Sequence, residues 1–536
     1  MTTDRYAALR DELRAAAFEN RIPLEGGIEL TSRCNFDCVH CFRPTLTTEE
    51  LATERFFGIV DELVDAGCLF LTITGGEPLM HPEFLKLHQY IRKAGILTIL
   101  FTNGALLDEA TIEGLLEAPP VVVEISVYGS SKETYGKITG NEDGYVRTMK
   151  GINLLLEAGL PVHLKTVIIR QNQHELESFI QTAKSLGVSW DYEMCLNPRI
   201  DGNLEPLDYR LAPSEIVEVE LADVALRRKW AYALEQLSLS RPVSTLRKVC
   251  NAGISVFVID SAGRLHPCIL WRSNPISLRA LRFDEAWQGP LSKVSNLRLE
   301  MPSECLTCRL EEICTVCPAW SSLEEGNREI PLQFMCDLTR ARMDSFGYSS
   351  IASSPGKMLP SGGSKSRTGG ENGQPDRAER QDEEHYRGRD SDRPQGREPT
   401  RRRVPPREWA GTSSPVPTVR PVTENRGVML QEGHSLQDGG CSSRGVAVSE
   451  ADRFRRNKDL VLREVAGHFL LIPTGPGTSP MTLLNLGSFS AQVWNALGSG
   501  SLKIHETMQA LGGDCELGDV ANAVESLCSK GAIERT

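Results

Sequence analysis

The stretch Glu29-Leu-Thr-Ser-Arg-Cys34-Asn-Phe-Asp-Cys38-Val-His-Cys41 places three cysteines on one short loop, directly after the apolar, glycine-led run Gly26-Gly-Ile-Glu-Leu-Thr31. Three thiolates spaced this way can hold three corners of a 4Fe-4S cluster and leave the fourth iron open to a cofactor. A structural zinc site is the alternative reading, since zinc ribbons also begin with closely paired cysteines, but it requires a fourth ligand nearby. His40 is the local candidate, and between Cys38 and Cys41 it would compete with them for geometry.

Downstream, Cys68-Leu-Phe-Leu-Thr-Ile-Thr74 is short and β-rich enough to be a buried strand, and Gly75-Gly76-Glu77-Pro78 follows it. Two glycines let the backbone approach a ligand closely, and the Glu77 carboxylate offers an acceptor for an ammonium group. Further strand-like runs end at Gly104, Val127, Ile168 and Cys195. Between them lie helical stretches such as Pro82 to Ala94, Leu107 to Leu116 and Val146 to Ala158, with leucines at i, i+3, i+4 spacing. Strands alternating with helices of this length imply right-handed βαβ units and a parallel sheet, here of six units.

Together, C-x3-C-x2-C near the start and GGEP about one βα unit later resemble the radical S-adenosylmethionine (SAM) enzymes. The six units agree with the partial (β/α)6 barrel of that family, whose site lies at the C-terminal ends of the strands, as in full barrels. The resemblance implies that Cys34, Cys38 and Cys41 hold the cluster, that SAM chelates the open iron, and that Gly75, Gly76, Glu77 and Pro78 bind its methionine amino group. One electron then cleaves SAM to methionine and a 5'-deoxyadenosyl radical, which takes a hydrogen atom from the substrate; the cofactor carries that chemistry and the protein supplies position and dryness. Thr102-Asn103-Gly104, Ser126 and Arg147 are the implied further SAM contacts. A one-electron reductant such as flavodoxin or ferredoxin is the implied partner.

A second group, Cys250, Cys268, Cys305, Cys308, Cys314, Cys317 and Cys336, puts seven thiols within about ninety residues, a density that in an intracellular chain means metal or redox chemistry. Its spacing resembles the SPASM extension of radical SAM enzymes, which usually carries two auxiliary 4Fe-4S clusters. Position by position, Cys305, Cys308, Cys314 and Cys336 would hold the outer cluster, and Cys250, Cys268 and Cys317 the inner one. Only Thr315 and Val316 separate the last pair where the family has three residues, and Ser244 to Val249 lacks the upstream ligand of some relatives. The inner cluster then has an open iron or recruits Cys195, whose default reading is a buried apolar thiol.

A chain of 536 residues with 40% apolar content can build two or three cores, and a net charge of -12 argues against a general nucleic-acid or anionic-membrane partner. No apolar run is long enough to span a bilayer and no signal core is seen, so the expected compartment is the cytoplasm. Residues 1–25 read as an amphipathic N-terminal helix with Tyr6, Leu9 and Leu13 on one stripe, followed by the barrel at 26–240 and the cysteine-rich extension at 245–345.

Residues 350–450, rich in Gly, Pro, Ser, Arg and Glu and including Arg401-Arg402-Arg403 and Cys441, read as a disordered linker. Such a linker has a root-mean-square span of roughly 50–60 Å, enough for a tethered domain to reach the barrel mouth. Order returns at 451–536: a hairpin around Ala466-Gly467, a strand at Met481 to Leu486, a helix capped by Ser488, and two further helices, a β3α3 unit. This pattern resembles the winged-helix-like PqqD domains that bind leader peptides of ribosomally synthesised, post-translationally modified peptides (RiPPs). A DNA-binding winged helix is the competing reading, but eight basic against nine acidic side chains and no basic recognition helix oppose it. A leader would add a strand to the exposed sheet edge and lay apolar side chains beside the last helix.

The expectation is therefore a radical SAM/SPASM maturase acting on a precursor peptide bound through its leader. One alternative is a related enzyme with a small-molecule substrate, as in the haem pathway, or a protein substrate, as in sulfatase maturation. The other is a non-catalytic iron-sulfur regulator.

Overall fold

In a computed structural model of the chain, each apolar run of the barrel region becomes a parallel strand, because a helix after it returns the chain to the starting end. The structure describes residues 3–43, 49–239, 250–296, 305, 308, 310, 313–314, 317–328, 330–348, 453–476, 484–497, 501–511, 517–530 and 532–535. The expected linker at 350–450, with Cys441, lies outside the described residues.

Strands β1 (Glu25–Glu29), β2 (Phe70–Thr74), β3 (Leu97–Thr102), β4 (Val122–Ser126), β5 (Val162–Val167) and β6 (Ser189–Glu193) lie side by side in chain order. Their registers, with Gly27 opposite Thr72 and Ile73 opposite Leu100, bring all C-terminal ends to one mouth. Among the described residues β6 pairs with β5 alone. The sequence reading missed β7 (Val256–Ile259), which runs parallel along the other side of β1, and the antiparallel β8 (Arg264–His266) and β9 (Ile276–Ser277) beyond it. That run was read as the spacing between Cys250 and Cys268, yet Phe257 and Ile259 are fully buried.

Helix α1 (Thr3–Asn20) precedes β1; α2 (Thr53–Asp65), α3 (Phe84–Lys93), α4 (Glu109–Glu117), α5 (Lys132–Thr139), α6 (Gly144–Glu157) and α7 (Leu176–Leu186) fill the crossovers. In α2, Phe56, Ile59, Val60 and Leu63 recur at helical spacing and are all fully buried, each stabilising by about 1.5–3 kcal/mol. Asp108 and Ser131 cap α4 and α5 by accepting from Thr111 N and Thr134 N, and Gly140 at φ 70° ends α5.

Beyond the strands come α8 (Pro213–Ala222), α9 (Val224–Leu239), α10 (Phe283–Gln288), α11 (Pro290–Asn296), α12 (Pro318–Glu324) and α13 (Gln333–Ser345). Arg342 on α13 donates twice to Glu220 on α8 (2.9 and 2.7 Å), both side chains being buried, and its guanidinium lies 3.9 Å from the Trp230 ring centroid.

The C-terminal region holds two three-stranded sheets where the sequence suggested one. β11 (Leu460–Val465), β12 (His468–Pro473) and β13 (Leu484–Leu486) form the expected sheet, while β10 (Arg453–Arg456) lies between β14 (Ser501–Lys503) and β15 (Ile533–Arg535) in the second. Arg-Phe-Arg-Arg has no alternation to betray a strand, and its partners are distant in the chain. Helices α14 (Ser488–Leu497), α15 (Ile504–Ala510) and α16 (Leu517–Ser529) complete it. Ser488 is the first residue of α14 rather than its cap, since Gly487 accepts the first helical bond, from Ala491 N.

This region sits at the floor of the barrel, not at its mouth. Val465, Leu470 and Ile472 of the hairpin form one buried cluster with Leu69, Phe70 and Leu97 at the starts of β2 and β3 and with Leu9, Leu13 and Ala17 of α1. Among the described residues no helix is long and apolar enough to cross a membrane.

Removing one member of the Arg342–Glu220 pair leaves a buried charge uncompensated. Arg342→Ala is expected to destabilise by about 3–5 kcal/mol in denaturant titration, whereas the double change Glu220→Leu, Arg342→Met recovers most of that loss.

Candidate functional site

The loop after β1 and the loop after β2 meet backbone to backbone. Thr31 O accepts from Gly76 N (2.8 Å) and Arg33 O from Glu77 N (2.8 Å). A Cβ on Gly75 would come within 2.5 Å of Thr31 O, and one on Gly76 within 2.2 Å of Arg33 O, so the approach requires glycine at both positions. The other side of the cysteine loop is fixed to α5: Asp37 N donates to Thr139 O and Val39 N to Ile138 O (both 2.9 Å).

Cys34, Cys38 and Cys41 lie within electrostatic reach of one another. Burial raises the Cys34 thiol and raises Cys38 well above its ordinary value, and the neighbouring sulfurs add to both shifts. Burial of this kind disfavours free thiolates, so a cation would have to replace the protons for these sulfurs to act as ligands. His40 is buried with its ring 4.6 Å from that of Tyr128, and burial lowers its pKa to about 4, so it is neutral.

Glu77 is buried just beyond the end of β2. Its carboxylate accepts from Thr102 Oγ1 (2.7 Å), Asn103 N (2.8 Å) and Leu79 N (3.1 Å), tying the end of β2 to the end of β3. Burial pushes its pKa up to about 7 against the opposing pull of those three donors. Pro78 is buried and opens a short 3-10 turn to Met80. Asn103 reaches the cysteine loop, donating to Asn35 Oδ1 (2.7 Å) with its amide nitrogen 4.0 Å from Cys34 Sγ.

Ser126 is half-buried at the end of β4, where its carbonyl accepts from Tyr135 OH (3.4 Å). Arg147 is exposed on α6; its neighbour Thr148 turns inward, donating to Asn103 O (2.8 Å) and meeting Tyr135 OH (3.0 Å). Thr148, Gly151, Ile152 and Leu155 mark the buried stripe of α6. The sequence reading missed Tyr128 and Tyr135. Tyr128 lies within electrostatic reach of Cys38 and Cys41, and its position two residues past the end of β4 was the available signal.

Arg43 extends the site. It pairs with buried Glu29 and donates to Gly75 O (3.0 Å), while Arg272, four residues after Cys268, pairs with the other Glu29 oxygen.

The second cysteine set divides into two groups. Cys268 feels the charges of Cys317 and Cys250, and Cys336 those of Cys314 and Cys308; burial first, then these neighbours, pushes Cys268 and Cys336 up to about 11. Cys305 opens a turn closed by Cys308 N (3.2 Å). Cys195 lies instead beside Glu193, Arg342 and Glu220. Among the described residues no three His, Cys, Asp or Glu side chains converge closely enough for a single metal ion.

In the C-terminal region, β12 is the one described partner of β13, and a surface groove of about 450 Å3 lies between α14 and α16, lined by Phe489, Ser490, Asp519, Asn522, Ala523 and Ser526.

Residues 28–183 match the family described as the Radical SAM superfamily. The AdoMet-dependent heme synthase of Methanosarcina barkeri is 26% identical over 323 residues, 56% of this chain and 92% of its own length. The PqqA peptide cyclase of Rhodopseudomonas palustris is 30% identical over 260 residues, 46% of this chain and 67% of its own. The antilisterial bacteriocin subtilosin biosynthesis protein AlbA of Bacillus subtilis is 32% identical over 257 residues, 47% of this chain and 56% of its own.

The loop contact yields a sharp test. Gly76→Ala is expected to destabilise by about 1–3 kcal/mol through overpacking and to lower the iron retained after anaerobic reconstitution. Gly487→Ala, whose Cβ meets nothing within 4 Å and whose backbone is not left-handed, should retain its iron.

Proposed function

The chain belongs to the radical SAM superfamily, and on that basis we propose that this enzyme modifies a ribosomally synthesised precursor peptide whose leader binds residues 451–536. What supports the peptide reading is that, among the described residues, β13 pairs with β12 alone, and that α14, which follows β13 in the chain, forms a groove with α16. An extended leader adds a strand there through main-chain hydrogen bonds, with its side chains in the groove. Two of the relatives act, by their names, in peptide cyclisation and bacteriocin synthesis.

In this reading Cys34, Cys38 and Cys41 hold the 4Fe-4S cluster that the superfamily uses with SAM. Bound together, cluster and SAM supply a 5'-deoxyadenosyl radical when a flavodoxin or ferredoxin delivers one electron. The chain's own part is placement. Gly75 and Gly76 bring the loop backbone to the cluster, Glu77 fixes that loop to β3, Asn103 steadies the Cys34 turn, and neutral His40 and Tyr128 make a dry wall behind the thiols. Ser126 at the end of β4 and Arg147 on α6 are the further SAM contacts of this reading. Cys250, Cys268 and Cys317 would hold an inner auxiliary cluster, and Cys305, Cys308, Cys314 and Cys336 an outer one, in a SPASM-type extension. Each thiolate of a 4Fe-4S cluster binds a different iron, which suits sulfurs that interact without converging on one ion. A soluble, reducing cytoplasm fits this reading.

A second reading, a small-molecule substrate of the haem pathway, is favoured by the match to 92% of the heme synthase. The two separate at the groove. Asn522→Trp, from an exposed position, should weaken precursor binding at least tenfold in a direct titration, about 1.4 kcal/mol. Unchanged affinity would favour the small substrate.

The cluster assignments predict a graded loss. Changing Cys34, Cys38 and Cys41 together to Ala should remove one cluster's iron and all SAM cleavage. Cys268→Ala should keep reductive SAM cleavage yet abolish product, measured as 5'-deoxyadenosine against modified peptide by mass spectrometry.

A further inference from the structure

Two arginines cross the boundary between the C-terminal region and the barrel floor in opposite directions. Arg463 of β11 donates to Val64 O (2.9 Å), Cys68 O (3.0 Å), Gly95 O (3.3 Å) and Ala94 O (3.4 Å), at the ends of α2 and α3. Arg92 of α3 donates outward to Pro473 O of β12 (2.7 Å) and inward to Ile96 O and Pro119 O (both 2.8 Å). Both are buried, Arg92 fully. A buried charge is tolerable only while hydrogen-bonded, so separating the two parts would strip partners from both guanidiniums and uncover the apolar cluster around Phe70. Gly95, at φ 78°, lies against Val461 and Arg463, where a side chain would intrude.

We propose that residues 453–535 are a fixed platform seated on the barrel floor by Arg463 and Arg92, and that this seat imposes a minimum spacing within the substrate peptide. The proposal rests on the leader-binding reading. Phe70 lies in the seat and Thr74 at the mouth end of the same strand. The four steps from Phe70 to Thr74, at about 3.3 Å each, separate floor from mouth by about 13 Å. A peptide held on the platform and running outside the barrel must therefore supply at least about four extended residues between its recognised segment and the residue modified. Arg463 is a positioning residue here: it acts by holding the platform and touches no reacting atom.

The test uses the full chain with a protease site inserted near residue 390. After cleavage the two pieces should co-elute on size exclusion; separation of the wild-type pieces would overturn the seat, whether or not a leader binds. Precursors with spacers of one, two, four and eight residues should bind alike, with product falling at least tenfold below about four; equal yield at every length would overturn the spacing rule. In uncleaved Arg463→Ala the platform is released on its tether, so short-spacer precursors should gain yield relative to long ones, a shift that simple destabilisation does not produce. An unaltered spacing threshold in folded Arg463→Ala would overturn the role of Arg463, and Arg463→Lys, which keeps the charge with fewer donors, should lie between the two if the alanine protein folds poorly.

Discussion

Backbone contact between Thr31–Arg33 and Gly75–Glu77 is the constraint on which the rest of the structure depends. Two loops can exchange main-chain hydrogen bonds only if their parent strands are neighbours, parallel and in register, as β1 and β2 are from Glu25 against Phe70 to Glu29 against Thr74. That arrangement requires a crossover that packs back on the sheet, which the Phe56, Ile59, Val60 and Leu63 stripe of α2 provides. A slip of one residue would turn Ile28 and Ile73 out of the core and carry both glycines away from the carbonyls they meet.

What was legible in the sequence was local. The six parallel strands, their helices and the cysteine loop each announce themselves within a dozen residues by period, spacing or glycine pairs. What was missed is a partnership between distant segments: β7 joins β1 across more than two hundred residues of chain, and β10 finds both its partners at the far end of its own region. Helix phase, which leaves Arg147 exposed and turns Thr148 inward, shows only once α6 is seated. The donors that meet the Glu77 carboxylate, from Thr102, Asn103 and Leu79, likewise come together only when the strands are assembled.

Glu29 explains how the cysteine-rich extension is registered against the mouth. One of its oxygens meets Arg43, which also holds Gly75 O; the other meets Arg272, which also donates to Ile269 O. A buried carboxylate with two cations is costly to leave half-made, so such a group favours one arrangement of its three segments over near alternatives. The segment that follows Cys268 is thereby tied to the loop that follows β2, and any movement of one is felt by the other.

The two ends of the barrel attract opposite chemistry for a reason built into parallel βα topology. Every crossover helix runs against the strands, so the carbonyl ends of α2 and α3 gather at the floor and carry partial negative charge. That end binds cations, and Arg463 and Arg92 are satisfied there by carbonyls alone, with no carboxylate among their hydrogen-bond acceptors. The mouth receives the N-terminal ends of the same helices, whose partial positive charge favours thiolates and carboxylates. Three cysteines at one end and a carbonyl-bound arginine seat at the other thus both accord with one chain direction.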